Sequence, residues 1–270
     1  MTDHMTSVSR FRALHTGAAP LVLVNAWDAM SARIIEAAGA PAVATTSAGV
    51  AWSLGAPDGD ALDRAAAVGM VRRVCAAVSV PVTADIESGF GATPDEVAET
   101  IHAVLDAGAA GVNLEDSRHD GSGTLRHVDD QCDRLAAARA AAGAGLYINA
   151  RVDTYLGRTG DLDETRTRSL AYLAAGADGV FVPGVLDRDD IAALVKSLDA
   201  PVNVMVGPGA LTVAELTELG VARISLGSAV AQAAYGLTRR AADEVYHHGT
   251  YHAIAGAPDF GELNQLITPA

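Results

Sequence analysis

Residues 37–47 read AAGAPAVATTS, and three later stretches repeat the phrase: DAGAAGVNLED at 106–116, AAGADGVFVPG at 174–184 and ELGVARISLGS at 218–228. Each runs from a helix end through a glycine into a β-rich segment. Glycine suits the left-handed residue just past a helix, so each phrase marks helix end, tight turn and strand start. The spacing is 69 residues from Gly39 to Gly108 and 68 from Gly108 to Gly176. A βα unit needs about 30 residues, so each interval holds two units and a second class of strand must start between the glycines. Those starts are present: Pro20 opens LVLVNA, Pro81 opens VTADIE, Pro201 opens VNVMV, and Gly145 precedes LYINAR. Proline is tolerated as the first residue of a strand, where its missing N–H does no harm. The two classes together predict eight strands, at 21–25, 42–46, 82–86, 111–115, 146–151, 179–182, 202–206 and 223–226.

The segments between them read as helices. Thr93-Pro-Asp-Glu96 is a capping box with proline at the first helical position, followed by Val97, Ile101, Val104 and Leu105 on one helical face. Thr212 with Glu215, and Asp161 with Glu164, repeat the capping signal. The strands are Val/Ile/Ala runs without clean alternation, the pattern of a parallel sheet covered on both faces. A doubly wound open sheet usually has five or six strands and a G-x-G-x-x-G turn after the first, and that turn is absent here. The expected fold is α/β, a (β/α)8 TIM barrel forming one domain over residues 1–270, with 228–270 as a C-terminal helical extension.

Over 270 residues the chain is 50% hydrophobic and 19% charged, which supplies a large core and excludes disorder as a class. Nineteen Lys and Arg face 33 Asp and Glu, a formal charge of −14. That sign argues against nucleic acid or an anionic membrane as partner, since both need a basic footprint. No apolar run approaches the ~18 residues of a membrane span, and no secretory signal opens the chain. Cys75 and Cys132 are too few for a disulfide framework or a cysteine-bound zinc site, and Cys132 reads as packing in a predicted helix. A cytoplasmic location is expected. Lys196 is the only lysine, so any Schiff base must use it; its helix, Ile191 to Lys196, belongs to the outer ring.

In such barrels the chemistry lies at the C-terminal ends of the strands, and those ends are polar here. Strand one ends Asn25-Ala-Trp-Asp28, strand two Thr45-Thr46-Ser47, strand three Asp85-Ile-Glu87, strand four Asn113-Leu-Glu115-Asp116 and strand five Asn149-Ala-Arg151-Val-Asp153; strand seven contains Asn203. The strand period puts Asp85 with Glu87, Asn113 with Glu115 and Asn149 with Arg151 on single faces. Pointing inward, these carboxylates and the guanidinium converge on one mouth. Clustered carboxylates repel unless a cation or proton intervenes, and an oxygen-only set favours Mg²⁺ or Mn²⁺ over zinc. The planar fork of Arg151 suits bidentate binding of a substrate carboxylate or phosphonate. The run Thr45 to Gly49 offers hydroxyls and close backbone N–H groups, a cradle for an oxyanion. His119 and His127 lie in a loop, 117–127, that reads either as solvated or as a lid supplying an acid/base or a cation.

Read in order, these segments resemble the isocitrate lyase/phosphoenolpyruvate mutase superfamily. VNAWDAMSARIIEAAG, TTSAGVAWSLGAPD, TADIESGFG, GVNLED, NARVDTY and LGVARISLGS agree in order and spacing over nearly the whole chain. The superfamily's metal motif, Asp-x-Asp-x-Gly-[Tyr/Phe]-Gly, appears as Asp85-Ile-Glu87-Ser-Gly89-Phe90-Gly91, with Glu at the second acid. The resemblance implies that Asp85 lies nearest Mg²⁺ (Mn²⁺ in its place), with Asp58, Glu87 and Glu115 acting partly through metal-bound waters. It implies that Thr45, Thr46, Ser47 and Arg151 hold a 2-oxo acid or its enolate; Asn203 joins this substrate set, and Asp58, Glu115 and Arg151 are the candidate catalytic residues. Such enzymes make or break a C–C or P–C bond beside a pyruvyl unit through a metal-stabilised enolate.

Two departures narrow the expectation. The lyase branch carries Lys-x-Cys-Gly-His after strand four, whereas Ser117 to His127 contains no cysteine; the mutase branch has Glu-Asp-Lys, whereas this chain has Glu115-Asp116-Ser117. The resemblance therefore points to a divergent branch, a decarboxylase or hydrolase of an oxaloacetate-like acid and a carbon–carbon lyase in type. The alternatives are a phosphonomutase, phosphonopyruvate hydrolase or 2-methylisocitrate lyase-like activity, or a non-catalytic relative that binds a dicarboxylate. Past strand eight, Ala229, Val230, Ala233, Ala234 and Leu237 form an apolar stripe, and Phe260, Leu263, Leu266 and Ile267 follow. A contiguous apolar patch usually marks an interface, and relatives form tetramers through this region, so a homotetramer is expected.

Overall fold

The first stave of the sheet is split, and the split closes the barrel. In the computed structural model, which describes residues 2–157 and 159–267, Leu21–Leu23 (β1) pairs in parallel with the last strand, Leu21 opposite Arg223 and Leu23 opposite Ser225. After Val24 the chain shifts, and Asn25–Ala26 (β2) pairs with the second stave, Asn25 opposite Ala44. The remaining strands are Val43–Thr45 (β3), Val82–Asp85 (β4), Gly111–Glu115 (β5), Tyr147–Arg151 (β6), Gly179–Val182 (β7), Val202–Met205 (β8) and Arg223–Ser225 (β9). Their order, β1-β9-β8-β7-β6-β5-β4-β3-β2, is parallel throughout. With β1 and β2 counted as one stave, this is the expected (β/α)8 barrel.

The four repeated glycines do what their phrase requires. Gly39, Gly108, Gly176 and Gly220 have φ of 96°, 94°, 111° and 81°. Around each, the same two bonds close the helix: Gly39 N–H to Glu36 O with Ala40 N–H to Ile35 O, and likewise Gly176 to Leu173 with Ala177 to Tyr172. The helices are Thr2–Leu14 (α1), Ala29–Ala37 (α2), Ser47–Ser53 (α3), Arg64–Ala77 (α4), Pro94–Asp106 (α5), Val128–Ala142 (α6), Leu162–Ala174 (α7), Arg188–Ser197 (α8), Val213–Glu218 (α9), Ala229–His248 (α10) and Phe260–Ile267 (α11). The capping boxes at Thr93/Glu96 and Thr212/Glu215 are reciprocal. Asp161 caps α7, but Glu164 turns to Arg168 instead of completing a box.

Alternation along each strand sorts side chains between two environments. Val112, Leu114, Ile148, Ala150, Val180, Val182, Val202, Val204 and Ile224 belong to the apolar core shared with the helices. The opposite faces are polar. Asn149 Nδ2 donates to Asn113 Oδ1 (3.0 Å) and Asn203 Oδ1 (3.3 Å), and Arg223 Nη2 donates to Asn113 Oδ1 (3.3 Å). The Asn149–Asn203 and Arg223–Asn113 bonds join strands that are not neighbours and can run only through the interior. Two features had no sequence signal. Helix α1 plugs the N-terminal end, with Val8 and Phe11 buried against Leu21, Leu23, Ala42, Ala44 and Tyr147, and α3 starts directly from strand two. Among the described residues no helix is long and apolar enough to cross a membrane.

Helix α11 folds back on α2, where Arg33 Nε donates to the Leu266 carbonyl at 2.6 Å. Helix α10 buries only Ala231 among the described residues. Tyr246 and Phe260 are 83% and 84% exposed, and Leu237, Tyr251 and Ile254 are exposed beside them.

Candidate active site

A cavity of about 140 Å³ opens at the C-terminal end of the strands, lined among others by Asn25, Thr46, Ser47, Asp58, Asp85, Asn113 and Arg151. Strand ends supply most of these groups, and the first turn of α3 supplies Ser47 and Ala48. The first N–H groups of a helix have no partner within it, so this wall presents donors to a bound anion. Asp58 comes from the loop after α3 and is exposed at the rim.

Arg151 organises the centre. Its Nε and Nη2 donate to the two carboxylate oxygens of Asp153 at 2.6 and 3.0 Å, a bidentate pair. Its Nη1 lies 2.6 Å from Glu115 Oε2 and 3.6 Å from Asp85 Oδ2, and the guanidinium sits over the Phe181 ring at 5.9 Å. Burial works against its charge, but Glu115, Asp153 and Asp85 outweigh that and hold it protonated. The predicted fork is therefore largely engaged within the protein, and a ligand meets Arg151 where it lines the cavity. Asp153, which the sequence reading had placed at a strand end without a role, is what orients it. Behind Asp153, its backbone N–H donates to buried Asp116, which also accepts from Tyr172 and Arg168.

The four predicted metal residues do not meet at one point. Asp85 and Asp58 line the cavity, but β4 ends at Asp85 and Glu87 adopts a left-handed φ of 51°. Strand alternation therefore stops before Glu87, whose carboxylate turns to accept the backbone N–H groups of Gly59 (2.9 Å) and Asp60. Glu115 is held between Arg151 and His119, whose Nε2 lies 2.6 Å from Glu115 Oε1. Glu87 instead joins Asp60 and His119, whose possible ligand atoms lie within 4.8 Å of one another. Neither Asp60 nor the position of His119 was foreseen, because the contact joins two loops far apart in sequence.

The substrate residues also divide. Thr46 and Ser47 line the cavity. The Thr45 hydroxyl instead accepts the Asp85 backbone N–H at 2.9 Å, since alternation turns it away from Thr46. Asn203 lies in the interior network, donating to the Val204 carbonyl (2.8 Å) and Ser225 Oγ (3.2 Å). His127 caps α6 and is well exposed, with Nδ1 accepting from Asp129 N–H at 3.4 Å. Residues 117–126 form a flap: Ser117 and Leu125 make an antiparallel bridge, and Arg126 N–H donates to the Asp116 carbonyl. Lys196 is exposed on α8, and Cys132 packs against the core, as read from the sequence.

The electrostatics describe a site with more carboxylate than its surroundings neutralise. Burial raises the pKa of Asp85, against Arg151 and with a further push from Asp58. Burial takes Glu87 to about 7, opposed by the Asp60 N–H. Glu115 and His119 share a proton: burial raises Glu115, yet Arg151 favours its ionised form, and the hydrogen bond lifts His119 to about 9. Crowded oxygen donors of this kind suit a hard divalent cation, which takes one or two carboxylates and keeps several waters. Asp85 and Asp58 fit that demand.

The profile of the phosphoenolpyruvate phosphomutase family matches residues 11–246. A candidate lyase/mutase from Burkholderia cenocepacia J2315 superposes with a TM-score of 0.92 at 41% identity, over 97% of this chain and 96% of that one. The 2-methylisocitrate lyase of Escherichia coli is 30% identical over 88% of this chain and 82% of its own. The structure of phosphonopyruvate hydrolase complexed with oxalate and Mg²⁺ superposes with a TM-score of 0.85 at 26% identity, over 96% and 94% of the two chains. With its barrel, its acidic mouth and a family profile spanning almost all of both, the chain belongs to the phosphoenolpyruvate phosphomutase family of the isocitrate lyase/phosphoenolpyruvate mutase superfamily.

Proposed function

We propose that this protein is a Mg²⁺- or Mn²⁺-dependent lyase or hydrolase that breaks the C–C bond next to the pyruvyl unit of a small oxaloacetate-like acid, leaving the bond's electron pair as an enolate that is then protonated. The supporting observation is the meeting of Asp85, Asp58 and Arg151 with the α3 amides around one small cavity. Asp85 and Asp58 would hold the cation. When bound, it supplies Lewis acidity that stabilises negative charge on the 2-oxo oxygen.

The chain's own groups do the rest. The N–H groups of Ser47 and Ala48 receive the substrate carboxylate, and the buried positive charge of Arg151, kept in place by Asp153, favours the electron pair that the broken bond leaves on the enolate. The lyase-branch cysteine and mutase-branch lysine are absent, which supports a branch distinct from both the E. coli lyase and the mutases. The exposed aromatic face of α10 and α11 supports assembly as a homotetramer through the C-terminal segment.

The decisive experiment is turnover of a panel of oxaloacetate, phosphonopyruvate and 2-methylisocitrate with Mg²⁺ or Mn²⁺, paired with calorimetry of metal binding. Oxaloacetate is expected to be consumed and metal binding to disappear in Asp85→Ala. Metal binding without turnover of any acid would replace the enzyme with a binding protein; equal metal affinity in wild type and variant would remove the metal assignment.

A further inference from the structure

The floor of the barrel, at the end away from the mouth, gathers buried polar atoms that the proposed chemistry does not use. Arg223 on β9 is 1% exposed and has no salt bridge among the described residues. The single hydrogen bond of its side chain among the described residues runs from Nη2 to Asn113 Oδ1 at 3.3 Å. Its Nε and Nη1 have no partner among the described residues, and neither have Tyr147 Oη, His15 Nε2 and Thr83 Oγ1. These groups share one neighbourhood. The Arg223 charge is felt by both Tyr147 and His15, and those two rings stack at 4.1 Å. Phe11 meets both rings edge-on, and Phe11 and Thr83 flank the inner face of Gly111.

Buried polar groups in native proteins find a partner in protein, water or an ion, and a buried unpaired charge is costly. The local charge decides which partner fits. Arg12 and Arg139 both pair with Asp178, and Arg12 also lies over the Tyr147 ring at 5.7 Å. Two guanidiniums therefore share one carboxylate, and Arg223 adds a third positive charge with no ion pair among the described residues. Arg223 offers only donors, and the Tyr147 and Thr83 hydroxyls can donate as well. His15 donates from Nδ1 to the Phe11 carbonyl at 2.8 Å, and burial, followed by Arg223, keeps the ring neutral. Space is tight: a Cβ at Gly179 would lie 2.3 Å from Tyr147 Oη, and one at Gly111 2.7 Å from Phe11 Cε1. Those rings already fill much of the floor, so an ion held beside Arg223 must be small.

We infer that the barrel floor binds a monatomic anion of the halide class, held by Arg223, Tyr147 and Thr83, which ties α1 to the barrel. The site lies beneath the mouth, joined to it through Asn113, which lines the cavity and accepts from Arg223, and it does not rest on the proposed activity. Thermal unfolding at fixed ionic strength, with gluconate exchanged for chloride, tests it. The wild-type Tm is expected to rise with chloride and saturate, and Arg223→Met to lose that chloride-dependent shift whatever its absolute Tm. Wild-type crystals soaked in bromide are expected to show an anomalous peak within hydrogen-bond reach of Arg223 Nε and Nη1, a readout that holds even if the variant does not fold. Equal Tm in the two salts, or ordered water without an anomalous peak at that position, would overturn the inference.

Discussion

Arg151 shows how a residue type that sequence reading handles well still needs its neighbours. Its place at the end of a strand, inward-facing and among acids, follows from strand period and barrel topology. Its bidentate partner, however, is Asp153 in the same segment, so the guanidinium is oriented before any ligand arrives. Arg151→Lys keeps the charge but cannot make two parallel bonds. Hydrogen bonds to charged groups are worth ~1.5–3 kcal/mol, so kcat/KM for the 2-oxo acid substrate is expected to fall about 10- to 100-fold. Steady-state kinetics beside a thermal melt check this, and undiminished kcat/KM would show that the fork has no role. Glu87 is the complementary case. Its acid was legible as part of a motif, but its left-handed backbone and its turn toward the Gly59 and Asp60 amides depend on a loop arriving from elsewhere.

At the scale of elements, the flap is the piece whose behaviour the bonds specify. The Ser117–Leu125 bridge and the Arg126-to-Asp116 bond make it a two-stranded strap, with Gly121 and Gly123 in left-handed conformations at its tip. His119 fastens it to the mouth through Glu115, beside Ser117, which donates to Asp153, and Arg126, which donates to Ser88. His119→Ala is expected to speed amide exchange at Arg118 and Arg126 by about 10-fold or more, the equivalent of one charge-assisted bond, while β5 and β6 keep their protection. Hydrogen exchange measured by mass spectrometry reads this directly; an unchanged flap would mean that its backbone bonds and the Ser117 and Arg126 side chains hold it without His119. The loop's existence was legible from its glycines. Its attachment was not, because beside Glu115 His119 also meets Asp60 and Glu87 from segments far away in sequence.

For the whole molecule, two properties depend on how the ends of the chain meet the barrel. His15 is buried between α1 and Tyr147, and burial, with Arg223 adding to it, pushes its pKa from 6.5 down to about 3. Between those values the unfolded chain binds a proton that the folded chain refuses. Stability therefore rises with pH across that window and is fully present above it, contributing up to about 1.4 kcal/mol per pH unit. His15→Phe is expected to flatten the slope of unfolding free energy between pH 6.5 and about 3 relative to wild type, as followed by urea titration at several pH values. Identical slopes would place the acid sensitivity elsewhere. At the other end, the exposed Tyr246, Tyr251, Ile254 and Phe260 make an apolar face that water does not favour. Light scattering is expected to return a mass of several chains, reduced by deletion from Gly256 onward; a single-chain mass for the wild type would reject the assembly.

The sequence by itself determined the barrel, because its signals are local. A left-handed glycine, a capping box and a proline at a strand start each need only their near neighbours. It likewise determined that Asp85, Thr46, Ser47 and Arg151 share a mouth, since strand ends in a parallel barrel all face one way; Asp58, on the loop after α3, was implied only by the family resemblance. Helix α1 escaped notice because its burial is decided by Tyr147 and the floor of a barrel formed later in the chain. The break at Val24 exists only because one stave must pair with both the last and the second strand. The tertiary structure alone decided that Thr45 supports Asp85, that Asn203 belongs to the interior network, that Glu115 joins Arg151 to His119, and that Arg223 lies buried with no ion pair among the described residues. Apart from the Glu115–His119 bond, which spans four residues, these depend on segments far apart along the chain, and only closure of the barrel brings those segments within hydrogen-bonding distance.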